Sequence, residues 1–478
     1  MLLRLSKNAF VRQYGPFTYI LNRINDYDQM FTDAEIFMRW LTRTPMPMPE
    51  IIGNICNVYK GTDSRIIIHD FNEFIAPLIR EKVVISGETE ADITKNDESF
   101  SYEVESPKTI GSRFIKPESM SKGEIPSDVL EAYFADHPTV FSLQMDITQA
   151  CTERCIHCYI PAYNAVFLPY EQMVKVIDEF CSQGGIELSL SGGECMLHPD
   201  FDRIVRYAHS KDLIVSVLSN LTLCNDEKIK VLSETESTVQ VSLYSMNPKI
   251  HDAITNRPGS FEETKAAIEK LRKAQIPCRI SCPTMKQNYR DYLDVLKYAR
   301  SLKMDAQTDF IIMGKMNCDT SNLSCRLNPS ETRKLLEDIV YNALPVNNEY
   351  FNPGKKEYTL TDEAFGTRKI CGACVSSVCL DADGHYYPCP AFGGVDLGSC
   401  YEHDLKWIWH ESPATLRIRS ATGKDFKKCL HCSDRDYCST CMCRNFNETG
   451  DIFTPAQHFC DVARINREVV EESWRRRE

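Results

Sequence analysis

Nowhere in the 478-residue sequence do apolar residues run on for the roughly 18 positions that a membrane-spanning helix needs. The N-terminus, MLLRLSKNAFVRQYG, lacks an uninterrupted apolar stretch and a small-residue cleavage site, so no secretion signal is recognised and a cytoplasmic location is expected. A long basic block is missing too. The net charge is −12, and without a phosphate-facing stripe of Lys and Arg no nucleic-acid partner is expected. What the chain has in excess is cysteine, 22 residues in a composition otherwise ordinary for a folded protein. A reducing cytoplasm does not keep disulfides in bulk, so so many thiols point to bound zinc or iron-sulfur clusters.

The chain is too long for one hydrophobic core, and its texture changes along its length. Residues 1–90 read as a small helical domain with short strands. Helical spacing covers Ala34, Ile36, Phe37 and Trp40, a second helix follows near Ile51 to Val58, and a third runs from Phe71 to Glu81. Residues 91–138 are polar, acid-rich and without period, which suggests a linker. From 139 to 345 six short apolar runs, VFSLQMDIT, IELSLSG, IVSVLSN, TVQVSLYS, PCRISCPTM and AQTDFIIMG, alternate with amphipathic stretches. Each parallel return needs a crossover, so the class is α/β with helices covering a parallel sheet. A partial (β/α)6 barrel of the TIM type fits better than an open doubly wound sheet, which spacing alone leaves open. Residues 346–478 are turn-rich, with eleven cysteines between Cys371 and Cys460, and bound metal is their natural organiser.

The chemistry concentrates on the loop after the first of the six runs, DITQACTERCIHCYIPAYN. There Cys151, Cys155 and Cys158 are spaced C-x3-C-x2-C, which lets one loop hold three corners of a [4Fe-4S] cube and leaves one iron open to a chelating small molecule. A zinc site with a distant fourth ligand is the alternative. These residues resemble the signature of the radical S-adenosylmethionine (SAM) enzymes, placed after the first strand of a partial barrel. The resemblance implies a SAM-binding cluster on the three cysteines and, at SLSGGEC, a hold on the methionine amine by Gly192, Gly193 and Glu194. Family members usually continue with Pro where this chain has Cys195. The same resemblance implies ribose and carboxylate contacts from Ser219, Asn220 and Ser242, which as strand-end residues also suit caps or turns. It sets His157 near the adenine, a position equally open to a surface histidine. Asp309, at the end of the sixth run, suits a substrate base or a capping carboxylate.

Cys374, nine residues, Gly384, four residues and Cys389, followed by CLHCSDRDYCSTCMC, is similar to the SPASM extension of peptide-modifying radical SAM enzymes, which holds two auxiliary [4Fe-4S] clusters. That resemblance implies Cys371, Cys374, Cys389 and Cys441 for the first and Cys429, Cys432, Cys438 and Cys460 for the second. The family's last spacing falls between Cys441 and Cys443, so either thiol suits that place. A zinc ribbon would use four cysteines and leave the Gly-x4-Cys element unexplained. The N-terminal order is similar to the small peptide-recognition domain of ribosomal peptide maturases, the fold of the pyrroloquinoline quinone peptide chaperone, where a leader peptide adds as a strand. A winged-helix DNA reader shares the topology but needs a basic recognition helix. Together the resemblances imply a maturase for a ribosomally made precursor peptide, three [4Fe-4S] clusters with SAM, and an external one-electron reductant such as flavodoxin or ferredoxin. The implied product is an intramolecular crosslink, a Cys thioether to carbon first and a carbon-carbon bond next. Epimerisation is a further option, with Cys195, Cys318 or Cys325 as hydrogen donor, as are sulfatase-type maturation and a non-catalytic iron-sulfur scaffold.

Overall fold

Alternating side chains in LLRL turn one side inward every second residue, AFVRQY buries Ala9, Phe10 and Tyr14, and more strand results than the few short strands expected of residues 1–90. In the computed structural model, which describes residues 1–25, 27–102, 133–343 and 361–476, the chain falls into two compact units, one built on Met1–Ser101 and the other on Pro138–Glu478. In the first unit β1 (Leu2–Leu5), β2 (Ala9–Tyr14), β3 (Phe17–Asn22) and β4 (Tyr27–Thr32) precede α1 (Glu35–Met38), β5 (Met46–Pro47), α2 (Met48–Val58), α3 (Ser64–Arg80) and β6 (Val84–Gly87). Strands β5, β1 and β6 form one antiparallel sheet, and β2, β3 and β4 form a second.

Helix α3 starts seven residues before the expected Phe71. The Ile66-Ile67-Ile68 run favours a strand locally, but Asp63 caps the helix by accepting from Arg65 N at 2.9 Å. Burial of Ile67, Phe71, Ile75 and Leu78 then fixes the helical period. The expected linker also begins inside ordered structure. Thr89 and Asp92 close a capping box on α4 (Glu90–Asn96), which buries Ile93, and the next residue, Asp97, accepts from Arg4 Nη2 at 2.5 Å and Ser6 Oγ at 2.7 Å. These contacts tie residues 90–97 to β1. Residues 103–132 of the expected linker, and the expected boundary at 345, lie outside the described residues.

In the second unit the six apolar runs become β7 (Ser142–Thr148), β8 (Glu187–Gly192), β9 (Ile214–Ser219), β10 (Thr238–Ser242), β11 (Cys278–Pro283) and β12 (Asp305–Asp309). They pair in parallel and lie side by side in sequence order, without the reversal of a doubly wound sheet. This is an α/β fold with a mostly parallel central sheet. The cysteine-rich segment joins the same sheet instead of standing apart. Its β13 (Ser377–Leu380) pairs parallel to β7, and β14 (His385–Tyr387) and β15 (Gly398–Ser399) extend it antiparallel, covering an edge that β7 would otherwise expose. Leu143, Met145, Leu188, Leu190, Val215, Val217, Val239 and Val241 point to one face and share a core with helix residues such as Met173, Ile177, Phe180 and Phe201. The opposite face carries Gln144, Ser189, Ser216 and Thr238 in one register row and Gln240, Arg279 and Asp305 in the next. No helix among the described residues is long and apolar enough to cross a membrane.

Candidate active site

The C-terminal ends of β7 to β12 bring every sequence-predicted residue of the first cysteine motif to one edge of the sheet, where βα loops begin. The β7 loop carries Cys151, Cys155 and Cys158. The three thiols are half-buried and lie within electrostatic reach of one another, Cys155 facing the charge of both Cys158 and Cys151. Burial pushes Cys151 up to about 12 and raises Cys155 and Cys158 as well. Thiolates crowded in this way need a cationic partner. Asn220 Nδ2 lies 3.9 Å from Cys151 Sγ, and the hydroxyl of fully enclosed Tyr244 lies 3.9 Å from Cys155 Sγ.

Two further side chains are left with open hydrogen-bonding atoms beside these thiols. Glu153 Oε2 accepts from the Cys155 thiol at 3.4 Å while its buried Oε1 has no partner, and burial raises its carboxyl to about 7. His157 places Nε2 3.5 Å from the Tyr244 hydroxyl, and its buried Nδ1 has no partner. Burial lowers this imidazole to about 4, so it is neutral, and the residue is half-buried. Unpartnered buried polar atoms call for a ligand or solvent.

The glycines after β8 are required by the chain itself. Gly192 has φ +127°, and a Cβ there would fall 2.2 Å from Thr148 O, while one on Gly193 would fall 2.2 Å from Ala150 O. That close approach lets Gly193 N donate to Thr148 O and Glu194 N to Ala150 O, both at 2.8 Å, docking β8's end onto the cysteine loop. The Glu194 carboxylate, fully buried, is committed to protein groups. Oε1 accepts from Met196 N at 2.9 Å and Ser219 Oγ at 2.8 Å, and Oε2 from Asn220 N at 2.8 Å. Glu194 thus ties β8 to β9, and Ser219, whose Oγ also accepts from Leu221 N at 2.9 Å, acts in that clamp. Ser242 is half-buried at the end of β10 and hydrogen-bonds Tyr244. Asp309 ends β12. Its Oδ1 accepts from Ile311 N at 2.8 Å, and although solvent reaches it, surrounding protein crowds the carboxyl and raises its pKa.

Nine cysteines of the C-terminal segment fall into two groups, and all 22 of the chain are free thiols. Cys429, Cys432, Cys438 and Cys460 line a single cavity, together with Cys441 and Arg444. Cys371 lies within electrostatic reach of Cys441 and Cys389, and Cys374 of Cys371 and Cys389. Buried Cys443 hydrogen-bonds Cys389 and Cys441, which raises its own pKa and lowers that of Cys441, so both thiols of the ambiguous pair stand at the first group. Among the described residues no three His, Cys, Asp or Glu converge to hold a single metal ion. A four-iron cube asks for thiolates spread over its corners instead. Cys195 and Cys325 are buried, with Sγ 3.4 Å from Leu218 O and 3.1 Å from Asn322 O, whereas Cys318 is exposed. Sequence reasoning missed Glu153 and Tyr244. The first sits inside CTERC and the second inside VSLYS, two residues past Ser242, where a strand-end aromatic next to a thiol loop was the available signal.

A thiol loop crowning a parallel sheet defines an α/β enzyme with its site at the strand ends. Residues 145–299 match the model of the radical SAM superfamily. An AdoMet-dependent heme synthase of Methanosarcina barkeri is 27% identical over 327 residues, covering 64% of this chain and 92% of that protein. The antilisterial bacteriocin subtilosin biosynthesis protein AlbA of Bacillus subtilis is 24% identical over 325 residues, 65% of this chain and 69% of AlbA. Among solved structures, Streptococcus suis SuiB bound to its precursor peptide SuiA aligns over 95% of this chain and 98% of its own, with TM-score 0.59 and 15% identity. The chain carries a radical SAM domain and is a radical SAM enzyme, a class that implies a [4Fe-4S] cluster and SAM. The three thiols and the unpartnered atoms of Glu153 and His157 fit that pair of groups.

Proposed function

We propose that the enzyme binds the leader of a ribosomally synthesised precursor peptide through residues 1–90 and installs an intramolecular crosslink, a Cys thioether to carbon first and a carbon-carbon bond second. The observation that carries this is the first unit itself. Among the described residues β4 takes its strand partner from β3, its other edge is where an extended peptide would add, and a pocket lined by Phe31, Phe37 and Phe74 lies at the strand's end. The likeness to SuiB supports it, because at 95% coverage it takes in both compact units, whereas the heme synthase match spans 64% of the chain. AlbA, named for subtilosin biosynthesis, points the same way.

When bound, the cluster and SAM supply a 5'-deoxyadenosyl radical able to take hydrogen from an unactivated carbon. Cys151, Cys155 and Cys158 would hold the cluster, with the Asn220 amide and Tyr244 hydroxyl beside their sulfurs. Glu153 Oε1 and His157 Nδ1 offer the methionine or adenine portions an acceptor and a ring edge. Glu194 keeps the β8 and β9 ends in register, so that Gly192, Gly193 and Ser242 present their backbone and hydroxyl at fixed positions. With Oδ1 occupied, Asp309 has Oδ2 to take a proton from the substrate thiol, and the burial that raises its pKa makes it a stronger base than a free carboxylate. Cys371, Cys374, Cys389 and Cys441, and separately Cys429, Cys432, Cys438 and Cys460, would hold two auxiliary [4Fe-4S] clusters in a SPASM-type extension of a partial barrel, groups that would supply an acceptor for the one electron the substrate gives up beyond its hydrogen atom and proton. An epimerase needs an accessible thiol; Cys195 and Cys325 are enclosed, which leaves exposed Cys318 as the donor that reading would use.

The test is anaerobic incubation with SAM and dithionite, or with flavodoxin and its reductase, followed by coexpression with a short peptide encoded beside the gene. Release of 5'-deoxyadenosine and loss of two hydrogens from the peptide are expected. An unchanged peptide mass with inverted stereocentres refutes the crosslink, and absence of 5'-deoxyadenosine with any peptide refutes the enzymatic reading.

A further inference from the structure

The end of β4, α1, α3 and the connection before α3 line an open cavity of about 440 Å³ within the first unit. Its wall is aromatic: the Phe74 ring lies 5.5 Å from Phe31 and 5.4 Å from Phe37. Outside it, apolar surface continues. Among the described residues nine large hydrophobic side chains are exposed by more than a third, and four of them, Val58, Tyr59, Ile66 and Ile68, belong to the end of α2 and the start of α3, with Tyr59 and Ile66 at the cavity itself. Such a patch around a pocket marks a docking surface.

The charge at the pocket is one-sided. Asp33 and Asp70 line it, and neither has an ion pair among the described residues. Nearby cations are already taken, Arg65 by Asp63 at 2.7 Å and Arg39 by Glu35 at 2.8 Å. Lys60, in the connection between α2 and α3, pairs with neither carboxylate. An apolar cavity flanked by two uncompensated carboxylates complements a side chain that is large and apolar with a cation close by.

We infer that this pocket reads the leader peptide, accepting an aromatic or branched aliphatic anchor while Asp33 and Asp70 pair with a Lys or Arg within a few residues of it. The inference rests on the precursor-peptide reading and adds the leader's chemistry. The strand edge of β4 binds backbone and is indifferent to sequence. Discrimination therefore falls to the pocket into which that edge leads. An acidic leader of equal hydrophobicity is rejected by like charge.

The experiment is display of a random library of peptides about twelve residues long, enough for one strand and its anchor, against the full-length protein under anaerobic, reducing conditions. Enriched sequences are expected to pair a large apolar residue with Lys or Arg within about four positions, the reach of neighbouring side chains along one strand. The variant Asp33→Asn with Asp70→Asn, both exposed and with Asn tolerant of Asp33's φ of +60°, keeps the apolar preference. Its preference for the cation falls about threefold to tenfold, and raising salt from about 0.1 M to about 0.5 M does the same to the parent. Ile66→Asp, also at the surface, abolishes enrichment. Acidic consensus sequences, or a cation preference untouched by the double variant, overturn the inference. A failed maturase reading shows separately, as no 5'-deoxyadenosine from a chain that still selects these peptides.

Discussion

Replacing Glu194 distinguishes the role implied by family resemblance from the one the geometry assigns. Resemblance makes its motif a holder of the methionine amine, but the carboxylate already accepts three N–H or O–H hydrogen bonds and a long one from the Cys195 thiol in a fully buried site. Glu194→Ala strands the Met196 N–H, the Ser219 O–H and the Asn220 N–H. At about 1–3 kcal/mol for each buried unsatisfied donor, partly recovered by water entering the space, about 3–5 kcal/mol of stability is lost. Glu194→Gln keeps one acceptor oxygen for Met196 and Ser219 and turns an NH2 toward the Asn220 N–H, costing about 1–3 kcal/mol. Anaerobic urea unfolding followed by circular dichroism measures both, and equilibrium dialysis of SAM on the reconstituted Gln variant supplies the second readout. As a clamp, the carboxylate can become an amide with a change in SAM affinity of about threefold or less. As the ion-pair partner of an ammonium, its neutralisation would cost about tenfold or more. A Gln variant of unchanged stability whose SAM binding collapses would refute the clamp.

Three other substitutions and one control test neighbouring statements. Gly193→Ala puts a methyl 2.2 Å from the main-chain Ala150 O, and about 1–3 kcal/mol of overpacking with depleted iron on reconstitution is expected, whereas Gly53→Ala, with nothing within 4 Å, leaves iron content unchanged; equal iron in both refutes it. Burial holds Asp146, whose Oδ1 accepts from Gln144 at 2.8 Å, at about 7 instead of 3.8. A carboxyl whose folded pKa lies above its unfolded one loses stability as pH rises through that window. The advantage of Asp146→Asn should therefore grow from nothing near pH 4 to about 2–4 kcal/mol above pH 7, the lower end reflecting its half-exposed surface, and a pH-independent difference in urea midpoints rejects this. Tyr244→Phe removes the hydroxyl near Cys155 Sγ, and redox titration monitored by electron paramagnetic resonance should show a potential lower by about tens of millivolts; no change would place that hydroxyl outside the sulfur's influence.

How far these sites were legible depended on sequence separation. The six parallel strands were visible because each apolar run is bounded by turn residues and followed by an amphipathic helix, and all six formed where expected. The thiol loop was equally plain, since its three cysteines sit within eight positions. The pairing of β13 with β7 was not, because SVCL is four residues long and its partner lies more than 230 residues earlier. Local pattern carries no information about such an edge. Tyr244 and Glu153 were missed because what singles them out is an orphaned oxygen and a neighbouring sulfur, which arise only once β10 and the β7 loop are side by side. In the first unit the Ile66-Ile67-Ile68 run hid a helix start, and tertiary burial overrode its strand propensity.

The two faces of the central sheet show why that sheet suits a reaction with a large polar substrate. In a filled barrel, the residues that point away from the helices are branched and aliphatic and pack against one another. Here the corresponding positions are Gln144, Ser189, Ser216 and Thr238 in one register row, Leu218, Gln240, Arg279 and Asp305 in the next, and Ser242, Ser281 and Gln307 in a third, polar in all but Leu218. They partly satisfy one another, as in Ser216 with Thr238 at 2.9 Å and Arg279 with Asp305 at 2.5 Å, so the face is stable without being a hydrophobic core. Short hydroxyls and amides of this kind leave room and offer donors and acceptors to a peptide backbone. The half-exposed surface of Asp146, on this face and yet desolvated enough to titrate near 7, marks where that room lies. Exchanging Ser189 and Ser216 for Val should therefore raise stability while lowering turnover. A Val pair that raises both would show the polar face to be incidental.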